Sequence, residues 1–350
     1  MGIEDRGRRE IPGTARPPAR VALWKRLLVA VPLLTLAITV ALLLLALSPA
    51  HIWRALSRFP PAYILPVLVL ARLYFGVQAV RWNFLLRSIG VRLSQWDTQI
   101  ISLASQLASL LPLGQYARAV FAAKATGAEA GSITATAVVQ ETTYALVLLL
   151  IAIPGSISHP AVAVTLLLSL ATTLLLVVIL VWPPIYHLAR RALCRLPWSS
   201  LTVPTVAGLH NSSGRLLRLP ATLWGTGFTV LYSALYITLL WVVAEGVHPG
   251  VLSWWDAAFV CAISHLAGAI TTLPGGLGAY EASLLGLLIV VGVDPVDAGA
   301  ITILFTVADR GVGSLMGIGP YFLFERKYGH PRDDAAERPT AAAPAASDRG

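Results

Sequence analysis

Long runs of apolar residues, separated by short polar or basic segments, are the dominant pattern of the chain. About 20 consecutive apolar residues are enough for a helix to cross the hydrocarbon core of a bilayer, so these runs predict transmembrane helices. No clean small-residue cleavage site follows the first run, which therefore predicts a retained anchor instead of a signal peptide. The predicted full spans lie at 27–47 and at about 62–86, 132–153, 161–182, 222–244 and 296–323.

Two further apolar stretches are each interrupted by proline and glycine. The first, 97–111, breaks at Pro112-Leu113-Gly114, and the second, 254–273, breaks at Pro274-Gly275-Gly276 and then resumes to about Gly292. Because proline and glycine break both stretches, and both 97–111 and the resumed part of the second stretch are short, the two stretches predict re-entrant helical hairpins. The predicted fold class is an all-α polytopic membrane protein with about six transmembrane helices and two re-entrant hairpins.

The composition excludes several classes of protein. Of the 350 residues, 56% are hydrophobic and 12% charged, whereas a soluble domain usually carries about a quarter charged residues. So few charged residues cannot cover the surface of a cytosolic enzyme, and so many hydrophobic residues are not typical of a disordered chain. The net charge of +9 comes mainly from basic residues between the apolar runs, where they determine topology, so no nucleic-acid partner is expected.

The distribution of Lys and Arg predicts the orientation. If neither hairpin crosses, most basic residues fall on the same side as the Arg-rich segment 1–26, and the positive-inside bias places that side in the cytoplasm. Counting one hairpin as a crossing would invert everything after it. The sequence therefore predicts disordered cytoplasmic tails at 1–26 and 328–350 around a membrane domain at 27–327.

An internal duplication relates the two halves of the membrane domain. Leu93-Ser94-Gln95-Trp96-Asp97 matches Leu252-Ser253-Trp254-Trp255-Asp256 at an offset of 159 residues, and Trp82 matches Trp241 at the same offset. Each copy then reaches a Pro/Gly break and, later, an intramembrane acid, Glu141 or Asp309. The predicted topology gives the copies, at about 62–153 and 222–323, opposite orientations. That is the inverted repeat of many secondary transporters, whose broken helices enclose the substrate site.

The segment from Leu273 to Glu281, LPGGLGAYE, is the most specific signal in the chain. Glycines allow close approach of the backbone, and the N–H groups at a new helix start point at a bound anion, for which a lipid phosphate is the obvious candidate in a membrane. A tight turn that merely packs is the alternative. The predicted substrate-binding residues are Arg118, Pro274, Gly275, Gly276, Gly278, Tyr280 and Glu281.

Ionisable and polar residues inside spans are costly, and they indicate a functional cavity or gate. Structural ion pairing is the alternative for the acids, for instance Arg310 with Glu141, and snorkelling is the alternative for Arg81. No catalytic motif is present, and Cys194 and Cys261 lie too far apart for a metal motif, so we expect no enzyme activity, cofactor or metal. The predicted cavity residues are Arg81, Gln106, Glu141, His265, Asp309 and Arg310.

Several of these residues together resemble the lysylphosphatidylglycerol synthase transmembrane region family. The resemblance is carried by Arg81-Trp82-x-x-Leu85-Leu86, the break at Pro112 with Arg118 after it, Glu141, and the glycine-rich segment 273–281, and it covers about residues 25–325. The family includes stand-alone flippase-like membrane proteins of bacteria and archaea and the flippase half of bifunctional aminoacyl-phosphatidylglycerol synthases. The loop after Pro112 lacks the family's Arg and Glu, and Thr142 follows Glu141 where Arg is common.

The resemblance implies a lipid flippase in a bacterial or archaeal plasma membrane, with both termini cytoplasmic. Its expected partners are membrane lipids with an anionic headgroup or a polyprenyl phosphate. No transfer chemistry is expected, since nothing after Arg326 has the composition of a soluble aminoacyl-transferase domain. Two alternatives stay open: a non-catalytic partner of a glycosyltransferase or lipid synthase, and an integral-membrane transferase with Glu281 as its base.

Overall fold

The computed structural model describes residues 59–107, 117–157, 160–182, 220–270 and 278–329, together with Ser57, Pro184, Ile185, His187 and Arg191. These residues are almost entirely helical, and no strand occurs among them, which confirms the all-α prediction. The predicted anchor 27–47, the basic segment 1–26 and the tail beyond 329 lie outside the described residues. So do the two Pro/Gly breaks, at 108–116 and 271–277.

The helices are numbered here in chain order. A short 3₁₀ turn, Pro61–Tyr63, precedes α1, and a π-helical turn, Val307–Gly311, joins α10 to α11. The helices are α1 (Ile64–Ser88), α2 (Gln95–Gln106), α3 (Ala117–Thr126), α4 (Ala130–Ile151), α5 (Ile153–Ile157), α6 (Pro160–Val181), α7 (Pro220–Val247), α8 (Trp254–Ile270), α9 (Ala279–Val290), α10 (Pro295–Thr306) and α11 (Val312–Tyr328).

Four helical stretches of the described chain are long and apolar enough to cross a membrane, at Pro61–Ser88, Gly131–Ile151, Gly225–Val247 and Pro295–Tyr328. They confirm four of the predicted spans, and α6 lies over the predicted span 161–182. Many large apolar side chains point outward from these helices. Leu65, Leu167 and Phe322 are more than 60% exposed, which suits a surface that faces lipid instead of water.

The two interrupted stretches form pairs of short helices. At 1.5 Å per residue, the 12 residues of α2 and the 12 of α9 each span about 18 Å, well short of a hydrocarbon core about 30 Å thick. α2 packs against α3, and α8 packs against α9. Each stretch thus contributes two separate short helices that pack against each other, while the two re-entrant hairpins stay a prediction.

The duplicated sequence motif begins a helix in both copies. Ser94 Oγ accepts a hydrogen bond from the Asp97 backbone N–H at 3.0 Å and donates to Asp97 Oδ2 at 2.8 Å. Ser253 Oγ accepts from the Asp256 N–H at 3.1 Å and donates to Asp256 Oδ2 at 2.6 Å. The repeated Leu-Ser-x-Trp-Asp motif is thus a helix N-cap whose serine satisfies an otherwise unpaired backbone donor.

The packing order is also duplicated. Within the first copy, α1 contacts α2, α2 contacts α3 and α3 contacts α4; within the second, α7 contacts α8, α8 contacts α9 and α9 contacts α10. Between the copies, α1 packs on α7, while α2 packs on α11 and α8 packs on α4. Each copy therefore packs its first short helix against a spanning helix of the other copy. The opposite orientation of the two copies in the membrane stays a prediction.

Glycines on α11 allow a close approach of this helix to α1 and α2. A Cβ atom on Gly317 would lie 2.5 Å from the backbone oxygen of Leu103 on α2, and one on Gly313 would lie 2.6 Å from the ring of Phe75 on α1. The two glycines are four residues apart, the small-xxx-small spacing that brings helix backbones together in membranes. α11 is thereby fixed against both α1 and α2.

Candidate functional site

The first charged cluster, Arg81, Arg118 and Glu141, joins α1, α3 and α4. Arg118 lies one residue into α3, and its Nη2 donates to Glu141 Oε1 at 3.0 Å. The Arg118 guanidinium also lies 5.5 Å from the ring of Trp82, whose Nε1–H donates to Thr136 Oγ1 at 2.9 Å. Side-chain exposure is 7% for Arg118 and 40% for Glu141. The arginine is therefore enclosed, whereas the carboxylate opens onto accessible space.

Arg81 carries a second buried guanidinium beside this pair. Its Nη2 donates to the Gln140 carbonyl oxygen and, at 2.8 Å, to Thr143 Oγ1 on α4, and the residue is only 2% exposed. The Arg81 side chain is therefore buried within the helix bundle and does not snorkel to the interface. No carboxylate lies within ion-pair distance of it in the described part of the chain. With two guanidinium groups and one carboxylate, the first charged cluster holds one uncompensated positive charge.

The second charged cluster, Glu281, Asp309 and Arg310, joins α9 to the π-helical turn. Arg310 Nη1 lies 2.9 Å from Glu281 Oε1, and both side chains are at most 15% exposed. Glu281 Oε2 accepts a hydrogen bond from the Gly278 backbone N–H at 2.7 Å. Gly278 has φ of 89°, a conformation that favours glycine, so this residue lets the chain turn directly into α9 with Glu281 facing back.

The ion pairs found in the structure are not the one that the sequence suggested. Glu141 pairs with Arg118 and Arg310 pairs with Glu281, so the suggested pair of Arg310 with Glu141 was wrong. In each copy the pair connects the short helix after the break to the spanning helix that follows. The signs are exchanged, since the short helix carries Arg118 in the first copy and Glu281 in the second.

Asp309 lies inside the π-helical turn, next to Arg310. It hydrogen-bonds with the side chain of Tyr236. Within the described ranges, no lysine, arginine or histidine nitrogen comes within ion-pair distance of its carboxylate. The positive charge of Arg310 is balanced by Glu281. With two carboxylates and one guanidinium, the second charged cluster therefore holds one uncompensated negative charge.

A group of buried tyrosines lies between the two charged clusters. The Tyr232 hydroxyl donates to the Tyr74 hydroxyl at 2.7 Å and accepts from Gln78 Nε2 at 3.1 Å, while the hydroxyls of Tyr236 and Tyr280 are 2.6 Å apart. The Tyr232 ring lies 5.8 Å from the Arg81 guanidinium, and the Tyr280 ring lies 5.3 Å from that of Arg310. We call this group, which connects the clusters, the tyrosine layer; its members are Tyr74, Tyr144, Tyr232, Tyr236 and Tyr280.

Sequence reasoning missed most of the tyrosine layer. Tyrosine in membrane proteins is usually found near the two interfaces, and only Tyr280 was singled out, through the glycine-rich segment. The usable signal was the position of Tyr232 and Tyr236, four residues apart near the middle of a long apolar run. Hydroxyls at that depth need hydrogen-bond partners. Two tyrosines on the same face of a helix therefore indicate that this face contacts other polar groups.

The remaining predicted site residues differ in where they lie. His265 on α8 packs edge-on against the Tyr144 ring at 4.6 Å and therefore borders the tyrosine layer. Gln106 lies at the end of α2, where its backbone carbonyl accepts from Ser314 Oγ at 3.2 Å. Pro274, Gly275 and Gly276 fall outside the described residues, so their proposed role in binding is not placed. Among the residues that are described, no group of three potential metal ligands occurs.

Comparison with known proteins agrees with this architecture. The family model described as lysylphosphatidylglycerol synthase TM region matches residues 32–317. The match includes both interrupted stretches, both charged clusters and the tyrosine layer. A comparison with curated proteins returned no match. Four membrane-length helices and a family match over most of the chain together show that this multi-pass membrane protein belongs to the lysylphosphatidylglycerol synthase transmembrane region family.

Proposed function

We propose that this protein is a flippase that moves an anionic lipid, either a phospholipid or a polyprenyl-phosphate-linked lipid, between the leaflets of a plasma membrane. Membership of a lipid-related membrane family supports a lipid substrate. The observation that carries the proposal is the uncompensated positive charge of Arg81 and Arg118 inside a bundle of membrane-length helices. The proposed orientation places both termini in the cytoplasm, following the distribution of basic residues.

The charge of the first cluster matches that of a lipid phosphate. A buried charge without a partner is costly in a low-dielectric environment, and a phosphodiester carries the one negative charge that would neutralise it. Arg81 Nη1 and Arg118 Nε are both buried and have no hydrogen-bond partner in the described part of the structure. Guanidinium groups bind phosphate through paired N–H donors, so the two arginines offer a site for the headgroup.

The unequal exposure of the Arg118–Glu141 pair suggests how the lipid enters. Glu141 faces accessible space, so its carboxylate can move away from Arg118 without crossing a packed core. A phosphate that takes its place leaves the guanidinium paired throughout, which avoids the cost of an isolated buried charge. In the second copy, the glycine-rich segment 273–281 stays the proposed second contact for the same anion when the two copies rock against each other.

The proposal gives the protein no catalytic step. Glu281, the candidate base of the alternative transferase function, is already engaged by Arg310 and by the Gly278 N–H. One oxygen of this carboxylate lies in an ion pair and the other accepts a hydrogen bond, so a substrate proton would have to displace one of these contacts. The geometry therefore favours Glu281 as a structural member of the turn before α9.

The test uses the full-length protein in phosphatidylcholine vesicles that contain fluorescent phosphatidylglycerol labelled with a dithionite-sensitive nitrobenzoxadiazole group. Dithionite bleaches only the outer leaflet, so protein that moves the lipid makes almost all of the label accessible. We expect this for the wild type and for Arg87→Gln, a matched control because Arg87 is exposed on the same helix as Arg81. The double variant Arg81→Gln, Arg118→Gln should leave about half of the label protected, as in protein-free vesicles.

Two further measurements keep the result interpretable. If the double variant does not fold, Arg118→Lys takes its place in the test. This variant retains the charge but not the fork of donors, so it should slow the movement of lipid. A second probe, a fluorescent polyprenyl-phosphate sugar, distinguishes the two lipid classes. Wild-type vesicles that bleach like protein-free vesicles with both probes would show that the proposal is wrong.

A further inference from the structure

We infer that Asp309 is a proton-binding site, and that one proton taken up there accompanies each movement of lipid. The coupling to lipid rests on the proposed flippase function, whereas the binding of the proton does not. The inference starts from the second charged cluster, whose net charge is opposite to that of the first.

The local backbone sets Asp309 apart from an ordinary helix residue. The π-helical turn Val307–Gly311 interrupts a stretch of helix that otherwise runs from Pro295 to Tyr328. Such single π turns are rare, and they are frequent at functional sites because they redirect side chains. Here the turn places Asp309 and Arg310 next to each other in the interior, with Arg310 against Tyr280 and Asp309 against Tyr236.

The charge balance then leaves Asp309 without a cation. Glu281 accepts from the Gly278 N–H and lies against Arg310 Nη1, so the guanidinium of the second charged cluster is already paired with Glu281. An uncompensated carboxylate within a membrane-length helix is expensive. Adding a proton to a carboxylate oxygen forms a neutral acid, removes the excess negative charge and needs no change in the ion pair. On release, the O–H bond breaks and the proton passes to water.

The surroundings of Asp309 suit both protonation states. A tyrosine hydroxyl can donate to a carboxylate and can accept from a carboxylic acid, so Tyr236 can keep its hydrogen bond when the proton arrives or leaves. The hydroxyl of Tyr236 is also paired with that of Tyr280, which extends the connection towards Arg310. The titratable and charged groups near Asp309 on the surrounding helices are Tyr74, Tyr144, Tyr232, Tyr236, Cys261, Tyr280, Glu281 and Arg310.

Two other assignments would explain the same charge. A sodium ion could neutralise Asp309, but no second carboxylate free of a cation lies beside it in the described structure to complete a set of hard oxygen ligands. His265 could bind the proton instead, but it packs against the Tyr144 ring and is not a member of the second charged cluster, whose excess negative charge the proton would remove. The experiments below separate both assignments from Asp309.

The first experiment measures proton binding without lipid movement. Infrared difference spectra of the purified full-length protein, recorded between acidic and neutral pH, should show the carbonyl stretch of a protonated carboxylic acid. The other acids of the chain absorb in the same region, so we expect Asp309→Asn to remove one component of this band. Asp297→Asn should retain it, because Asp297 is an acid on the same spanning stretch that pairs with His248 outside the cluster. A band that survives in Asp309→Asn and disappears in a variant of another acid would overturn the assignment.

The second experiment measures coupling in the same vesicles as the flippase assay, with an imposed difference of one pH unit. For one proton per lipid, this difference corresponds to a tenfold ratio of protons, so the steady-state ratio of labelled lipid between leaflets should shift by up to about tenfold. Asp309→Asn should abolish the shift, whereas Asp297→Asn and His265→Gln should preserve it. A sodium gradient of equal size should have no effect.

The outcomes of the two proposals differ. Movement of lipid that ignores the pH gradient would refute the coupling and leave the flippase function standing. A shift that follows sodium or disappears in His265→Gln would assign the site to another ion or residue. Absence of any lipid movement would refute the flippase function, and the infrared band would still decide whether Asp309 binds a proton.

Discussion

Replacing Gly317 by alanine should loosen the contact between α11 and α2. The added Cβ would lie 2.5 Å from the backbone oxygen of Leu103 and 3.3 Å from Leu107 Cγ. The nearest atom belongs to a helix backbone and cannot rotate away, so the two helices must separate by about 0.9 Å to restore an ordinary contact of 3.4 Å. Overpacking of this kind costs about 1–3 kcal/mol, partly offset by the helix propensity of alanine, which is better by about 1 kcal/mol.

The same helix offers a matched control. A Cβ on Gly319 would meet no atom within 4 Å, so Gly319→Ala should keep or slightly raise the thermal stability. Thermal unfolding of the full-length protein in mild detergent, followed by size-exclusion fluorescence, compares both variants with the wild type. Gly317→Ala should unfold about 1–4 °C below Gly319→Ala, since an unfolding entropy of about 2.1 cal/mol/K per residue makes 1 kcal/mol worth about 1.4 °C in a protein of 350 residues. Equal midpoints for the two alanine variants would refute the close contact.

Two further predictions concern local contacts. Trp82→Phe removes a fully buried indole and its 2.9 Å hydrogen bond to Thr136, so we expect a loss of about 1–3 kcal/mol. The control Trp96→Phe, at a side chain that is 67% exposed, should stay within about 0.5 kcal/mol of the wild type. Ser94→Ala and Ser253→Ala each remove one helix cap and should each cost about 1 kcal/mol, with additive effects in the double variant because the caps are far apart. Thermal unfolding also measures these variants. A loss of stability in only one of the two serine variants would show that the repeated motifs are not structurally equivalent.

Much of the helical architecture is predictable because it depends on run length and on a few local signals. An apolar run of membrane length becomes a helix whatever its partners, which is why α1, α4, α7 and α10–α11 lie where the sequence places them. The repeated serine caps are equally local, since donor and acceptor are three residues apart. The spacing of Gly313 and Gly317 is also visible in the sequence, although only the structure shows that they face Phe75 and Leu103.

The partners of the buried charges are not predictable in this way. Arg118 and Glu141 are 23 residues apart, and their contact depends on how α3 turns back after a break and which face it presents to α4. Depth alone also suggested a pair between the copies, Arg310 with Glu141. Instead, Arg118 pairs with Glu141 and Arg310 pairs with Glu281, each within its own copy. The tyrosine layer depends on α1, α4, α7 and α9 meeting at one level, which is a property of the packing and not of any one helix.

The exchange of signs between the two ion pairs has an electrical consequence. Arg118 lies on the short helix of the first copy, and Glu281 lies on the short helix of the second. If the copies are inverted, one rocking motion carries these two helices towards opposite membrane faces whenever their ion pairs part. Opposite displacements of opposite charges add, so both halves would feel a transmembrane voltage in the same sense. Since a full elementary charge crossing 100 mV is worth about 2.3 kcal/mol, even a partial crossing would make the cycle sensitive to membrane potential.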